Sequence, residues 1–149
     1  MNPNYPDFFV YTAQKIREKL NIYGAFDFTR LTKIYPNLTF TFGPLPEGTY
    51  GIYTPNNTNI HLNNTMTKER QRLGAALGLG ARIAQISTKQ TISTTSIAIQ
   101  HPTTQGINRF VMELLLPRNE LYLFPIDVHA IAQRYAVSES FTAVRIQHI

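Results

Sequence analysis

The sequence predicts an α+β fold, with helices at both ends of the chain and a small three-stranded antiparallel sheet packed on them. Near both ends, apolar residues recur every three or four positions, as one buried face of a helix requires. Between residues 38 and 42, apolar and polar residues alternate instead, which is typical of a strand with one buried face, and two further short segments flank a Pro-Asn-Asn turn. A chain of 149 residues is long enough for one core, and we expect a single domain over 1–149.

The N-terminal part contains two predicted helices. The first has Pro6 in its opening turn and stops at Gly24, since proline is tolerated at a helix start and glycine favours a helix end. The second begins after Asp27, whose carboxylate can accept hydrogen bonds from free amides of the first turn, and Pro36 ends it. The three strands are then predicted at 38–42, 49–54 and 58–63, the last two as a hairpin.

A long helix follows the strands, and its glycines predict close packing. Thr67 is suited to cap the N-terminus of this helix. Each of Gly74, Gly78 and Gly80 costs up to about 1 kcal/mol relative to alanine in a helix interior. The cost is offset if their narrow face lets a neighbouring element approach closely, so we expect this helix to lie on the core.

The best-defined helix lies between residues 107 and 117. Five apolar residues occupy positions i, i+3, i+4, i+7 and i+8, which form one face of a helix, and a proline prevents its continuation. We expect this face to be buried in the core. The residues concerned are Ile107, Phe110, Val111, Leu114 and Leu115, followed by Pro117.

The segment 127–146 resembles a helix-turn-helix. Ser138 is a suitable N-cap for its second helix, whereas Ala136 occupies the turn position where glycine is usual. Further upstream, residues 87–105 are polar and rich in threonine. The sequence leaves open whether that stretch is a loop or a short extra hairpin.

Two of the predicted helices resemble those of the ImmA/IrrE-type metallopeptidase family. Residues 69–81 resemble the family helix in which an arginine- and glutamine-rich start runs into His-Glu-x-x-His, and 107–117 resembles its Asn-x-Phe-x-x-x-Leu-Leu-x-Pro helix. The resemblance implies a zincin-like core over 1–117 and a C-terminal helical pair over 118–149. The family's histidines fall here on Leu77 and Ala81, its general base on Gly78, and its third metal ligand on Gly106 or Gln105.

These replacements remove the chemistry of the family. Two histidines four residues apart hold a zinc ion, while the intervening glutamate takes a proton from the zinc-bound water. Leucine and alanine offer zinc no lone pair, and glycine accepts no proton. The chain is therefore predicted to be a pseudo-peptidase with no metal, no cofactor and no enzymatic activity. No two of the histidines present have metal-ligand spacing, so all are interpreted as ordinary polar residues: His61, His101, His129 and His148.

The resemblance implies a regulatory role for such a chain. Active members of the family cut or release repressors of mobile elements or of DNA-damage responses. We therefore expect a protein partner, such as a transcriptional repressor, that is bound and not cleaved. The predicted contacts are Gly74, Gly78 and His101, together with the 87–105 segment.

A second hypothesis is a small DNA-binding regulator. In that case the C-terminal pair would present Ser140, Thr142 and Arg145 to DNA. Of these, Arg145 alone makes the strong bidentate contact with guanine. Packing is the favoured role of the pair, because the resemblance implies a similar packing element at this place.

A third hypothesis, ranked last, is an unusual hydrolase. It would need Ser93 or Ser96 as a nucleophile beside His101 as a base. No residue nearby in the sequence marks the group that would orient the base.

The composition of the chain limits the remaining classes of function. The net charge of +5 permits an acidic or nucleic-acid partner, and the local cluster of Lys68, Arg70 and Arg72 is either a solvated helix face or a binding patch. The absence of cysteine excludes disulfides and thiolate metal sites. The N-terminus lacks the pattern of a signal peptide, and no apolar run approaches the roughly 20 residues that span a bilayer. The sequence therefore predicts a cytoplasmic protein that does not contact membranes.

Overall fold

The computed structural model describes residues 6–54, 56, 58–84, 92–93 and 102–148. The fold is α+β, as predicted, with four strands and six α-helices in these residues. The strands are β1 (Thr39–Gly43), β2 (Gly51–Thr54), β3 (Asn59–Asn63) and β4 (Ile92–Ser93). The helices are α1 (Pro6–Lys19), α2 (Lys68–Ile83), α3 (Pro102–Leu115), α4 (Arg118–Leu121), α5 (Val128–Tyr135) and α6 (Glu139–Gln147).

The sheet is mixed, and the prediction of three antiparallel strands is wrong in this respect. The strand order is β1-β3-β2-β4, with β1 parallel to β3 and with β2 antiparallel to both β3 and β4. The β2–β3 hairpin is confirmed, but residues 44–50 carry the chain past the position that β3 fills. Asn63 fixes this connection, since its buried side chain donates to Thr49 O at 2.9 Å and accepts from Leu45 N at 3.3 Å.

Helix α2 packs directly on the sheet, and its glycines permit the close approach that the sequence predicts. A methyl group added to Gly78 would lie 2.9 Å from Ile60 Cγ2, and one added to Gly74 would lie 3.1 Å from Tyr50 O. A methyl group added to Gly80 would lie 2.9 Å from Ile107 Cγ2, on α3. The three glycines therefore bring α2 against both the sheet and α3.

Helix α3 is buried along its apolar face, as predicted. Ile107, Phe110 and Leu114 are each 0% exposed, and the helix ends at Leu115, before Pro117. It packs along α1, where Gln14 Nε2 donates to Glu113 Oε1 at 3.3 Å. This helix therefore forms the centre of the core.

Local capping predictions agree with the structure in three places. Thr67 caps α2, Ser138 caps α6, and Asp27 accepts a hydrogen bond from Thr29 N. The element after Asp27 is, however, a 3-10 helix (Phe28–Lys33) and not an α-helix. Pro36 leaves it too few residues to propagate α-helical hydrogen bonds.

Two elements lay beyond the sequence predictions. The single-turn helix α4 precedes the C-terminal pair, and β4 adds two residues of the polar 87–105 segment to the edge of the sheet beside β2. Among the described helices, none combines the length and apolar content that a bilayer crossing requires.

Candidate functional site

Of the positions that the resemblance assigns to metal ligands and general base, Leu77, Gly78, Ala81 and Gly106 are buried, whereas Gln105, the alternative position of the third ligand, is exposed. Leu77 is 8% exposed and Ala81 is 0% exposed, and both belong to the hydrophobic core. Gly78 faces Ile60, while Gly106 faces the ring of Phe9. None of the four buried side chains offers zinc an electron pair.

The packing around Gly106 predicts the effect of a single methyl group. An added Cβ would overlap Cε2 of the Phe9 ring, so Gly106→Ala forces the buried ring to move. We expect overpacking to cost about 1 to 3 kcal/mol and helix propensity to return at most about 1 kcal/mol. Because the added methyl group would meet three ring atoms at once, the overpacking cost should fall in the upper part of that range, and chemical denaturation should show a net destabilisation of about 1 to 3 kcal/mol.

Two further variants test whether the Phe9 ring is the cause. Adding Phe9→Ala to Gly106→Ala should cost less than the sum of the two single changes, because the missing ring leaves room for the methyl group. Gln105→Ala, at an exposed position in the same helix, should change stability little. A Gly106→Ala protein as stable as the wild type would mean that α1 and α3 pack less tightly than described.

The predicted partner contacts need correction. Gly74 and Gly78 are buried against Tyr50 and Ile60, so no partner reaches them without separating α2 from the sheet. His101 lies outside the described residues. The glycines therefore serve the packing of α2, and a partner surface has to be sought elsewhere.

The C-terminal helical pair holds two of its three predicted DNA contacts in the interior. Thr142 is 0% exposed and Arg145 is 5% exposed, while Ser140 is exposed. Arg145 Nη2 lies 2.6 Å from Glu113 Oε2, and its Nε donates to Leu116 O at 3.0 Å. Burial lowers the pKa of Arg145, and the charge of Glu113 opposes that effect. The prediction that Thr142 and Arg145 face a ligand is therefore wrong.

This ion pair was not predicted from the sequence, although the sequence contains one sign of it. Glu113 interrupts the apolar run from Phe110 to Leu116, and a carboxylate on a buried helix face needs a cationic partner. Because Arg145 lies 32 residues further along the chain, no local spacing identifies it as that partner.

A second, partly buried ion pair connects α1 with the C-terminal region. Arg17 Nη2 lies 3.0 Å from Glu120 Oε2, and Glu120 Oε1 accepts from Gly24 N at 2.8 Å. Tyr135 also donates to this carboxylate, at 3.0 Å. Burial, with the hydrogen bond and charge of Glu120, raises the pKa of Tyr135 to about 12. This cluster therefore ties α5 to α1 through charged groups.

Arg72 of the basic cluster has a structural role. Its guanidinium donates to Phe26 O at 2.8 Å and to Ala136 O at 3.0 Å. Ala136 adopts a left-handed conformation with φ of 55°, which costs roughly 1 to 2 kcal/mol in a residue other than glycine. The Arg72 contact helps to hold that turn in place. Lys68 and Arg70 are exposed.

The described histidines make ordinary polar contacts. His61 Nδ1 lies 2.8 Å from Thr41 Oγ1 on the outer face of the sheet, and His129 Nδ1 lies 2.7 Å from Glu139 Oε1 at the surface. His148 is exposed. In the part of the chain that the structure describes, no three His, Cys, Asp or Glu side chains gather into a metal-binding group. Of the hydrolase residues, Ser93 lies in β4, and Ser96 and His101 fall outside the described residues.

An apolar cavity of about 390 Å³ opens where β1, the 3-10 helix and the start of α2 meet. Phe42, on β1, is 60% exposed there, and the rings of Phe28 and Phe40 meet edge to face with centroids 6.2 Å apart. Lys68 and Arg72 also line the cavity, so its walls combine apolar surface with positive charge. We call it the β1 cavity. Its remaining lining residues are Thr29, Leu62, Gln71 and Ala75.

No protein-family model and no curated protein matches the chain. Solved structures do match, among them a Mycobacterium tuberculosis transcriptional regulator with a TM-score of 0.69 over 97% of this chain, at 15% sequence identity. The chain spans only 47% of the length of that solved chain. At this level of identity, the comparison shows that the chain shares its fold with part of a larger transcriptional regulator.

Proposed function

We propose that the chain is a protein-binding regulatory domain that acts in transcriptional control, built on a peptidase-like scaffold and without peptidase activity. One observation carries the proposal: the four positions where the ImmA/IrrE-type resemblance places metal ligands and a base hold Leu77, Gly78, Ala81 and Gly106, all buried. With packing groups at these positions, such a scaffold would act through its surfaces, by binding and not by cleavage. The similarity of fold to part of a transcriptional regulator supports the regulatory role.

We expect purified protein to hold no stoichiometric metal and to cleave no polypeptide. Zinc needs side chains with free electron pairs, and neither Leu77 nor Ala81 supplies one. Elemental analysis after dialysis should show far less than one zinc ion per chain, and an unstructured protein such as casein should stay intact. One zinc per chain that survives dialysis, together with chelator-sensitive cleavage, would disprove the proposal.

Binding to duplex DNA is the competing function, and the structure defines a clean test of it. Arg145→Ala is unsuitable, because the loss of a buried ion pair would destabilise the protein for reasons unrelated to DNA. Ser140 is the exposed member of the predicted set, and Ser140→Glu adds a negative charge that would repel phosphates. We expect no sequence-specific DNA complex at physiological salt. A complex that Ser140→Glu abolishes would favour the DNA-binding function.

A further inference from the structure

We infer that the edge of β1 binds an extended acidic segment of a partner protein, which adds a strand to the sheet and places an apolar side chain in the β1 cavity. The inference rests on the proposed protein-binding function and specifies the chemistry of the partner. Three features of β1 and its surroundings support it: unpaired backbone groups, exposed apolar surface and positively charged side chains that form no ion pair with any described residue.

The backbone of β1 is available on one side. Thr39 N donates to Thr58 O, and Gly43 O accepts from Asn64 N, so these residues turn their backbone groups towards β3 and the segments that flank it. Since alternate residues of a strand point their amides in opposite directions, the N–H and C=O groups of Phe40 and Phe42 point away from the sheet. Among the described strands, none pairs with this side of β1. An extended peptide can therefore bind here by strand addition.

The β1 cavity lies on the correct face of such an added strand. Phe40 and Phe42 project from β1 towards the α2 side of the sheet, where both line the cavity. Every second side chain of a neighbouring strand projects to that same face. An apolar side chain of the peptide would thus cover Phe42, whose ring is 60% exposed at the edge of the cavity.

The charge around the cavity selects an acidic peptide. Within the described part of the chain, neither Lys68 nor Arg72 forms an ion pair, and no carboxylate lines the cavity. Asp27 and Glu69 lie close enough for their charges to act on Arg72, but the hydrogen bonds of Arg72 are to backbone carbonyls. A second copy of this chain is disfavoured, because its β1 strand (Thr39–Gly43) carries no carboxylate that could pair with Lys68 and Arg72.

The test selects ligands from a phage-displayed library of short random peptides, using the intact protein as bait. Enriched peptides should contain an apolar residue within an extended, acidic stretch. Synthetic copies should lose at least about tenfold in affinity for Phe42→Ser and for Lys68→Glu, measured by fluorescence anisotropy. Their affinity should also fall as salt rises, and N-methylation of alternate peptide amides should abolish binding.

Matched control variants show whether a loss of peptide affinity is specific to the β1 cavity or follows from any loss of an exposed aromatic side chain or positive charge. Tyr23→Ser removes an aromatic side chain that is 79% exposed, and Lys19→Glu reverses an exposed charge on α1. Both should leave peptide affinity unchanged. All four variants should keep the wild-type denaturation midpoint, since each change lies at the surface.

The outcomes distinguish this inference from the proposed function. Peptides that bind Phe42→Ser and Lys68→Glu as tightly as wild type would overturn the β1 site and leave the protein-binding function in place. Failure to select any peptide would also overturn it, since the inferred partner is a linear segment. A dimer in sedimentation that Phe42→Ser converts to monomer would assign the surface to a second copy instead. The proposed function is tested separately, by the metal and cleavage measurements.

Discussion

Replacing Arg145 by alanine is expected to destabilise the protein by about 3 to 5 kcal/mol, because it leaves a carboxylate buried without its partner. Glu113 is only 3% exposed, and its Oε2 atom lies 2.6 Å from Arg145 Nη2. The same change also removes the donor to Leu116 O. Urea denaturation measured at neutral pH provides the comparison of free energies of unfolding.

A double variant tests whether the unpaired charge is responsible. Arg145→Leu alone also leaves Glu113 buried without its partner and should destabilise the protein strongly. When Glu113→Leu is added to Arg145→Leu, both charges leave the interior, and the double variant should recover most of the stability that Arg145→Leu loses. Arg109→Ala, at an exposed position on α3, should change the free energy of unfolding by less than about 0.5 kcal/mol. An Arg145→Ala protein that unfolds at the wild-type denaturant concentration would show that the ion pair is not formed, and Arg145 would again be free to contact a ligand.

The predictions that held were those with local causes. Thr67 and Ser138 cap their helices through hydrogen bonds to amides three residues away, so composition and position identify them. The burial of Ile107 and Phe110 follows likewise from periodicity within one helix. Features that depend only on residues close together in the chain can be predicted from a single sequence.

The features that were missed depend on contacts between distant residues. Strand alternation places β1, β2 and β3 in the chain, but it contains no information on which strand lies in the centre of the sheet. Arg145 has the side chain and the position of a residue that contacts DNA bases, and only its contact with Glu113 shows that it is buried instead. The β1 cavity is likewise assembled from three elements, so no single motif indicates it.

The resemblance to a peptidase contributed in a different way. It identified Leu77, Gly78, Ala81 and Gly106 as positions of interest, and all four lie in the interior. It also suggested that Gly74 and Gly78 would face a partner, which their contacts with Tyr50 and Ile60 contradict. A motif thus locates positions in a fold, whereas accessibility depends on the packing of this particular sequence.

Truncating Leu114 to alanine should destabilise the protein by about 2 to 5 kcal/mol. The side chain is 0% exposed at the centre of α3, between α1 and the rest of the core, and its removal leaves a cavity that rigid neighbours only partly fill. The Leu114 carbonyl still accepts from Arg17 Nη1, so the change isolates apolar packing from that hydrogen bond. Leu123→Ala, at a position that is 75% exposed, removes the same atoms from the surface and should cost less than about 0.5 kcal/mol. A difference below about 1 kcal/mol between the two variants in chemical denaturation would mean that α3 does not form the centre of the core.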